Sequence, residues 1–125
     1  MDPGMKILVV DDFAAMRRIL KNVLSQIGLT NIIEADDGTT ALKVLKKNKV
    51  DLIVSDWNMP KMSGLDLLKT VRSNESTKDM PFLMVTASSQ KDDVLEAVQA
   101  GVSNYIVKPF TADTVKDKLR KIFSK

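Results

Sequence analysis

Five polar residues in this chain stand where they could do chemistry together: Asp11 and Asp12, Asp56, Thr86 and Lys108. Each closes a short apolar run, and in an open parallel sheet ligands bind beyond the carboxyl ends of the strands. If the runs carrying them lie side by side, three carboxylates converge beside one lysine and one hydroxyl. Three carboxylates in one crevice repel one another and cost stability unless something neutralises them. A hard divalent cation does so, and magnesium favours oxygen ligands while keeping several waters. The chain has no histidine and no cysteine, which argues against zinc. Magnesium bound by one or two carboxylates characteristically shares them with phosphate oxygens. The acidic cluster therefore implies a phosphate ligand, with Lys108 neutralising residual charge and Thr86 donating a hydrogen bond to a phosphoryl oxygen.

Each residue also has a plainer explanation. Asp11 and Asp12 could cap a helix starting near Phe13, and Asp56 could open a turn toward Pro60 and Gly64. Lys108, before Pro109, could be an exposed loop lysine, and Thr86 a strand end without a role. Singly, each plain account is the better one. Recurring at four strand ends, they favour one shared site.

The elements that must hold these residues follow from periodicity. Apolar runs at Lys6–Val10, Asn31–Glu34, Leu52–Ser55, Phe82–Val85 and Tyr105–Val107 predict strands. Three of them lack alternation, as strands covered on both faces do. Between the strands come helical stripes. Met16, Ile19, Leu20, Val23, Leu24 and Ile27 precede the stop at Gly28. Ala41, Leu42, Val44 and Leu45 form a weaker stripe entered through Asp36-Asp37-Gly38. Leu65, Leu67, Leu68 and Val71 follow Ser63 and Asp66, which stand at capping-box spacing. Val94, Leu95 and Val98 follow Ser89 and Asp92, spaced alike, and end at Gly101. Val115, Leu119, Ile122 and Phe123 follow a Thr111 cap. Strict alternation of strand and helix predicts a (βα)5 α/β fold, doubly wound, with a parallel sheet and helices on both faces.

The 125 residues and 44% hydrophobic content fit one compact domain. Residues 5–125 are expected to form it, with Met1-Asp2-Pro3-Gly4 an appended leader and Met5 the natural start. The formal net charge of +3 is mild. Its lysines gather on two amphipathic segments, Lys43 to Lys49 and Lys116 to Lys125, as solvated faces do, so no nucleic-acid partner is expected. The longest apolar run, around Leu52-Ile53-Val54, is far short of the roughly 20 residues that cross a bilayer. The residues before Lys6 lack a charged-then-apolar pattern, so a secretory signal is not expected. No membrane association is expected. A cytoplasmic location fits the lack of cysteine.

Four strings carry a family likeness. Leu8-Val9-Val10-Asp11-Asp12-Phe13, Ser55-Asp56-Trp57-Asn58-Met59-Pro60, Met84-Val85-Thr86-Ala87 and Asn104-Tyr105-Ile106-Val107-Lys108-Pro109-Phe110-Thr111 resemble the receiver domains of bacterial response regulators. The run Asp-Trp-Asn-Met-Pro and the closing Lys-Pro-Phe-Thr resemble the single-domain chemotaxis branch. The likeness spans Met5 to Lys125. It implies a flavodoxin-like sheet of strand order 2-1-3-4-5, an order taken from the family and not from the pattern.

By that resemblance Asp56 is the phosphoacceptor, charged from a phosphohistidine of a sensor histidine kinase. Asp12, Asp56 and the backbone carbonyl of Asn58 ligate magnesium, with Asp11 acting largely through water. Lys108 and Thr86 contact the phosphoryl group, hydrolysis of the acyl phosphate resets the switch, and the Lys108-Pro109 bond is cis. Tyr105 becomes the relay, turning into space that Thr86 vacates. Without the resemblance, a tyrosine packed with its hydroxyl in water is the simpler expectation. Lys91, Val94, Val98, Tyr105, Lys118 and Lys121 then line an output face that binds the flagellar motor switch protein and a kinase docking domain. Two positions depart from the family. Ser88 replaces a common glutamate on the route of the attacking water, which together with Asn58 would tune dephosphorylation and any auxiliary phosphatase. Ser63 replaces an aspartate and is expected to cap the third helix all the same. A monomer is expected.

Two rivals stand beside this. A phosphate sink or phosphorylation-independent module would share the pocket without acting on the motor. A magnesium-dependent phosphohydrolase also uses an aspartate nucleophile, but needs a second acid two positions on, where Asn58 stands. The chain is thus expected to phosphorylate and dephosphorylate itself, not to turn over external substrates.

Overall fold

The computed structural model describes residues 2–87 and 91–124, the side chains of Lys91 and Asp92 excepted. Five strands alternate with five helices: β1 (Ile7–Val10), α1 (Ala14–Gln26), β2 (Ile32–Ala35), α2 (Gly38–Lys47), β3 (Leu52–Asp56), α3 (Gly64–Ser73), β4 (Phe82–Thr86), α4 (Lys91–Gln99), β5 (Asn104–Val107) and α5 (Ala112–Phe123). All pairings are parallel, in the order β2-β1-β3-β4-β5. The chain winds one way from β1 and the other way from β3, so these neighbours form the point where strand order reverses.

The two-residue alternation of strand side chains divides the core into two layers. Ile7 and Val9, Leu52 and Val54, Leu83 and Val85 pack with Leu20 and Leu24 of α1 and Val115 and Leu119 of α5. Leu8 and Val10, Ile53, Phe82 and Met84 pack on the opposite face with Ala41 of α2 and Leu67, Leu68 and Val71 of α3. The three central strands are buried residue after residue, which explains their unbroken apolar runs. No helix among the described residues is long and apolar enough to cross a membrane.

The caps read from the sequence are present where the structure describes them. Ser63 accepts from the Asp66 N–H, Asp37 from the Thr40 N–H and Thr111 from the Thr114 N–H. Gly28 and Gly101 both take φ of 91°, the left-handed turn that ends α1 and α4. The proposed cap at Ser89 and Asp92 lies outside the described residues.

Three expectations need correction. β3 and β4 each run one residue further than their apolar stretch, because the ladder continues through Asp56 opposite Val85 and Thr86 opposite Val107. The α1 and α4 stripes are not wholly core: Ile19, Leu95 and Val98 are 48%, 50% and 58% exposed. Ala97, with the smallest side chain on α4, is its buried contact. Lastly, α1 begins after Phe13, and neither acid of the Asp11-Asp12 pair is its N-cap residue.

Candidate functional site

The site is assembled by strand register. Val10 lies opposite Ser55, so the residues following β1 stand beside the last residue of β3. One carboxylate oxygen from each of Asp11, Asp12 and Asp56 falls within 4.8 Å of the others. Lys108, just beyond β5, reaches across β4 to place Nζ 3.0 Å from Asp56 Oδ1. The Lys108 N–H donates to the Thr86 carbonyl at 2.8 Å, continuing the ladder past the last strand residue. The Lys108-Pro109 bond is cis, as expected from the resemblance. Thus the three acids and Lys108 share one crevice, and Thr86 joins it through its backbone carbonyl on the Lys108 N–H. Asp11, Asp56 and Thr86 are buried.

Its electrostatics are unbalanced. Three carboxylates face one lysine, and Asp11 Oδ2 and Asp12 Oδ1 are buried oxygens with no hydrogen-bond partner among the described residues. Asp11 Oδ1 accepts the Phe13 N–H at 2.9 Å, a local turn that leaves the second oxygen aimed elsewhere. Burial pushes the Asp11 carboxyl up to about 6. The Phe13 N–H pulls it back, Asp56 raises it, Lys108 lowers it and Asp12 raises it further. Buried acids of this kind are held neutral or are matched by a cation. Two orphaned oxygens on a purely oxygen donor set fit magnesium well. Asn58, whose carbonyl the family likeness implies as a further ligand of that ion, is an exposed residue of the loop after β3.

Several supporting residues gave no warning in the sequence. Arg17 of α1 donates from Nη1 to the Asp11 carbonyl at 2.7 Å and from Nε to Glu34 at 3.0 Å, tying the loop after β1 to α1 and β2. Gly64 packs so tightly on β3 that a Cβ there would collide with the Asp56 carbonyl oxygen. Its N–H also donates to the Trp57 carbonyl at 2.8 Å. Ser55 Oγ donates to the same Asp56 carbonyl at 3.0 Å. The backbone of Asp56 is therefore held from both sides.

Thr86 and Tyr105 share the sheet face that packs on α2 and α3, since Tyr105 lies opposite Met84 and Thr86 is two residues on. A small, mostly apolar cavity lies between them, lined also by Trp57, Met84, Asp93, Val94 and Ala97. Tyr105 is half-buried, and Lys118 Nζ sits 5.1 Å from its ring centroid. Val98 is exposed, and Lys121 is exposed and paired with Asp117 at 3.3 Å. The Ser88 position and the Lys91 side chain lie outside the described residues.

Comparison with known proteins agrees with this geometry. The response regulator receiver domain family matches residues 7–120. The chain is 57% identical over 121 residues to the chemotaxis protein CheY of Pseudomonas aeruginosa, covering 97% of this chain and 98% of that one. It is 56% identical over 125 residues to CheY-3 of Vibrio cholerae, covering 100% and 96%. Among solved structures, the chemotaxis response regulator CheY4 of Vibrio cholerae superposes with a TM-score of 0.87 at 33% identity, covering 95% of this chain and 98% of that one. The receiver domain of a Francisella response regulator gives 0.84 at 28% identity, covering 95% and 96%. A crevice of three acids and a lysine at the strand ends, on this sheet and with these relatives, identifies the chain as a member of the response regulator receiver domain family, on its single-domain chemotaxis branch.

Proposed function

We propose that this receiver domain takes a phosphoryl group from a sensor histidine kinase onto Asp56 and, while loaded, binds the flagellar motor switch protein. The observation that carries the reading is the Asp56–Lys108 pair at 3.0 Å, set beside two acid oxygens with no hydrogen-bond partner among the described residues. One Asp56 carboxylate oxygen attacks phosphorus of the phosphohistidine. An O–P bond forms as the N–P bond breaks and the imidazole leaves. Fixing of the Asp56 backbone by Gly64 and Ser55 holds the nucleophile in place, so transfer needs mainly alignment and charge stabilisation. Lys108 exchanges its carboxylate partner for a phosphoryl oxygen, and the Thr86 hydroxyl donates to another. Magnesium held by Asp11, Asp12, Asp56 and the Asn58 carbonyl would supply neutralisation of the phosphoryl charge. Water attacking phosphorus then releases inorganic phosphate and restores the carboxylate, at a rate that Asn58 and Ser88 tune and an auxiliary phosphatase accelerates.

The signal leaves through Thr86 and Tyr105. Drawing Thr86 toward the phosphoryl group enlarges the cavity the two residues share, and the ring of Tyr105 moves inward. Phosphorylation thereby favours one of two arrangements of the face formed by α4, β5 and α5, comprising Lys91, Val94, Val98, Tyr105, Lys118 and Lys121. The exposed Leu95 and Val98 on α4 suit that face to an apolar helix of a partner. The test is capture of a motor switch peptide by the monomeric domain with and without beryllofluoride, which mimics the phosphoryl group. Preferential capture of the loaded form is expected. Equal capture of both forms contradicts the proposal and favours a phosphorylation-independent module, and capture of neither favours a phosphate sink.

A further inference from the structure

The loop from Trp57 to Ser63 carries Asn58 and leads from the phosphoacceptor into α3. It is closed at its base by the Gly64 N–H on the Trp57 carbonyl at 2.8 Å, and folded at its tip by the Met62 N–H on the Pro60 carbonyl at 2.7 Å. Lys61 at that tip takes φ of 67°, a left-handed conformation unusual for a residue with a side chain. Something outside the loop must hold it there.

The neighbour is the start of α2. A Cβ built on Gly38 would lie 2.6 Å from Met62 Sδ, 2.7 Å from Cγ and 2.8 Å from Cβ. The Sδ contact alone could be relieved by swinging the thioether away. The Cβ contact cannot, because moving Met62 Cβ means moving the loop backbone. A second tie lies alongside, where Lys61 Nζ approaches Asp37 Oδ2 at 3.9 Å. Asp37 is itself anchored, accepting from Thr39 Oγ1 at 2.6 Å and from the Thr40 N–H at 2.9 Å. These bonds hold its carboxyl down at about 2, so it stays charged throughout the neutral range.

We propose that Gly38 is a positioning residue for the cation site: its missing side chain lets Met62 seat against α2, and that seat fixes the loop bearing Asn58. This rests on the reading of the acidic crevice as a magnesium site. Outer residues that orient a ligand commonly change metal affinity by about 10-fold or more when replaced. Gly38 is the first residue of α2 and is buried; alanine is no burden to the helix itself, so the cost of the added methyl falls on the Met62 contact.

The experiment is a magnesium titration of the full chain followed by Trp57 fluorescence, with urea unfolding of each protein in magnesium-free buffer as the control for folding. Gly38→Ala is expected to weaken magnesium binding by about 10-fold while unfolding at a similar urea concentration. Shortening the obstructing residue makes room for the new methyl, so the double variant Gly38→Ala, Met62→Ala is expected to regain most of the wild-type affinity. A wild type that responds to magnesium beside an unaltered Gly38→Ala, or a double variant no better than the single one, overturns the positioning role alone. A wild type without any response overturns the metal reading beneath it.

Discussion

Replacing Asp11 by asparagine should stabilise the metal-free protein. The substitution keeps a carbonyl oxygen to accept the Phe13 N–H, now made at 2.9 Å, and removes a charge from a fully buried position. Burial, opposed by the Phe13 bond and Lys108 and aided by Asp56 and Asp12, lifts the carboxyl from 3.8 to about 6. At 1.36 kcal/mol for each tenfold change in proton affinity, the charged form carries a penalty of at most ~3 kcal/mol. Solvent reaches the crevice past Lys108 and Asp12, and its screening leaves about 1–2 kcal/mol. The sign follows from linkage. A folded-state value above the unfolded one gives stability that is complete below about 3.8 and is lost as pH rises through about 6. Wild type and Asp11→Asn should therefore differ little at pH 4 and differ by about 1–2 kcal/mol at pH 7, the variant being the more stable. Urea unfolding with a chelator at both pH values measures this. Millimolar magnesium should reverse the order, because the ion binds the folded wild type and stabilises it by mass action. A variant equal to or weaker than wild type at pH 7 without metal would refute the claim that Asp11 is buried at a cost.

Three further outcomes are expected. Lys108→Gln removes the cation 3.0 Å from Asp56 and should slow uptake from a small-molecule phosphodonor by about 10²-fold in a stopped-flow assay, with little loss of magnesium affinity. Phe82→Ala empties the largest fully buried side chain between β4 and the α2–α3 layer and should cost about 3–5 kcal/mol in urea unfolding. Ser63→Ala deletes the α3 cap on the Asp66 N–H and should cost about 1 kcal/mol, whereas Ser63→Asp should retain the stability.

Much of this was legible in the residues. Buried parallel strands wrote themselves as apolar runs at Leu52-Ile53-Val54 and Leu83-Met84-Val85, and the polar residue closing each run marked the sheet edge where the acids and Lys108 gather. Local capping chemistry at Ser63 and Thr111 was equally readable, because a cap is decided within four residues. What depends on distant partners was not. Strand order came from family likeness, since periodicity carries no record of which strand pairs with which. Asp56 and Thr86 lie inside strands because their ladder partners, Val85 and Val107, extend the pairing, and neither partner is near in sequence. Leu95 and Val98 keep helical spacing yet are half or more exposed, because spacing alone does not record which face of α4 meets the sheet. Gly38, Met62 and Arg17 act across element boundaries, where only the folded chain brings them together.

Every role proposed for the crevice depends on the identity of the acceptor. Incubation with a small-molecule phosphodonor and magnesium, followed by mass mapping of the labelled peptides, should find one phosphoryl group, on Asp56, absent when the metal is chelated and absent in Asp56→Asn. Label on any other residue, or label that survives in Asp56→Asn, would contradict it.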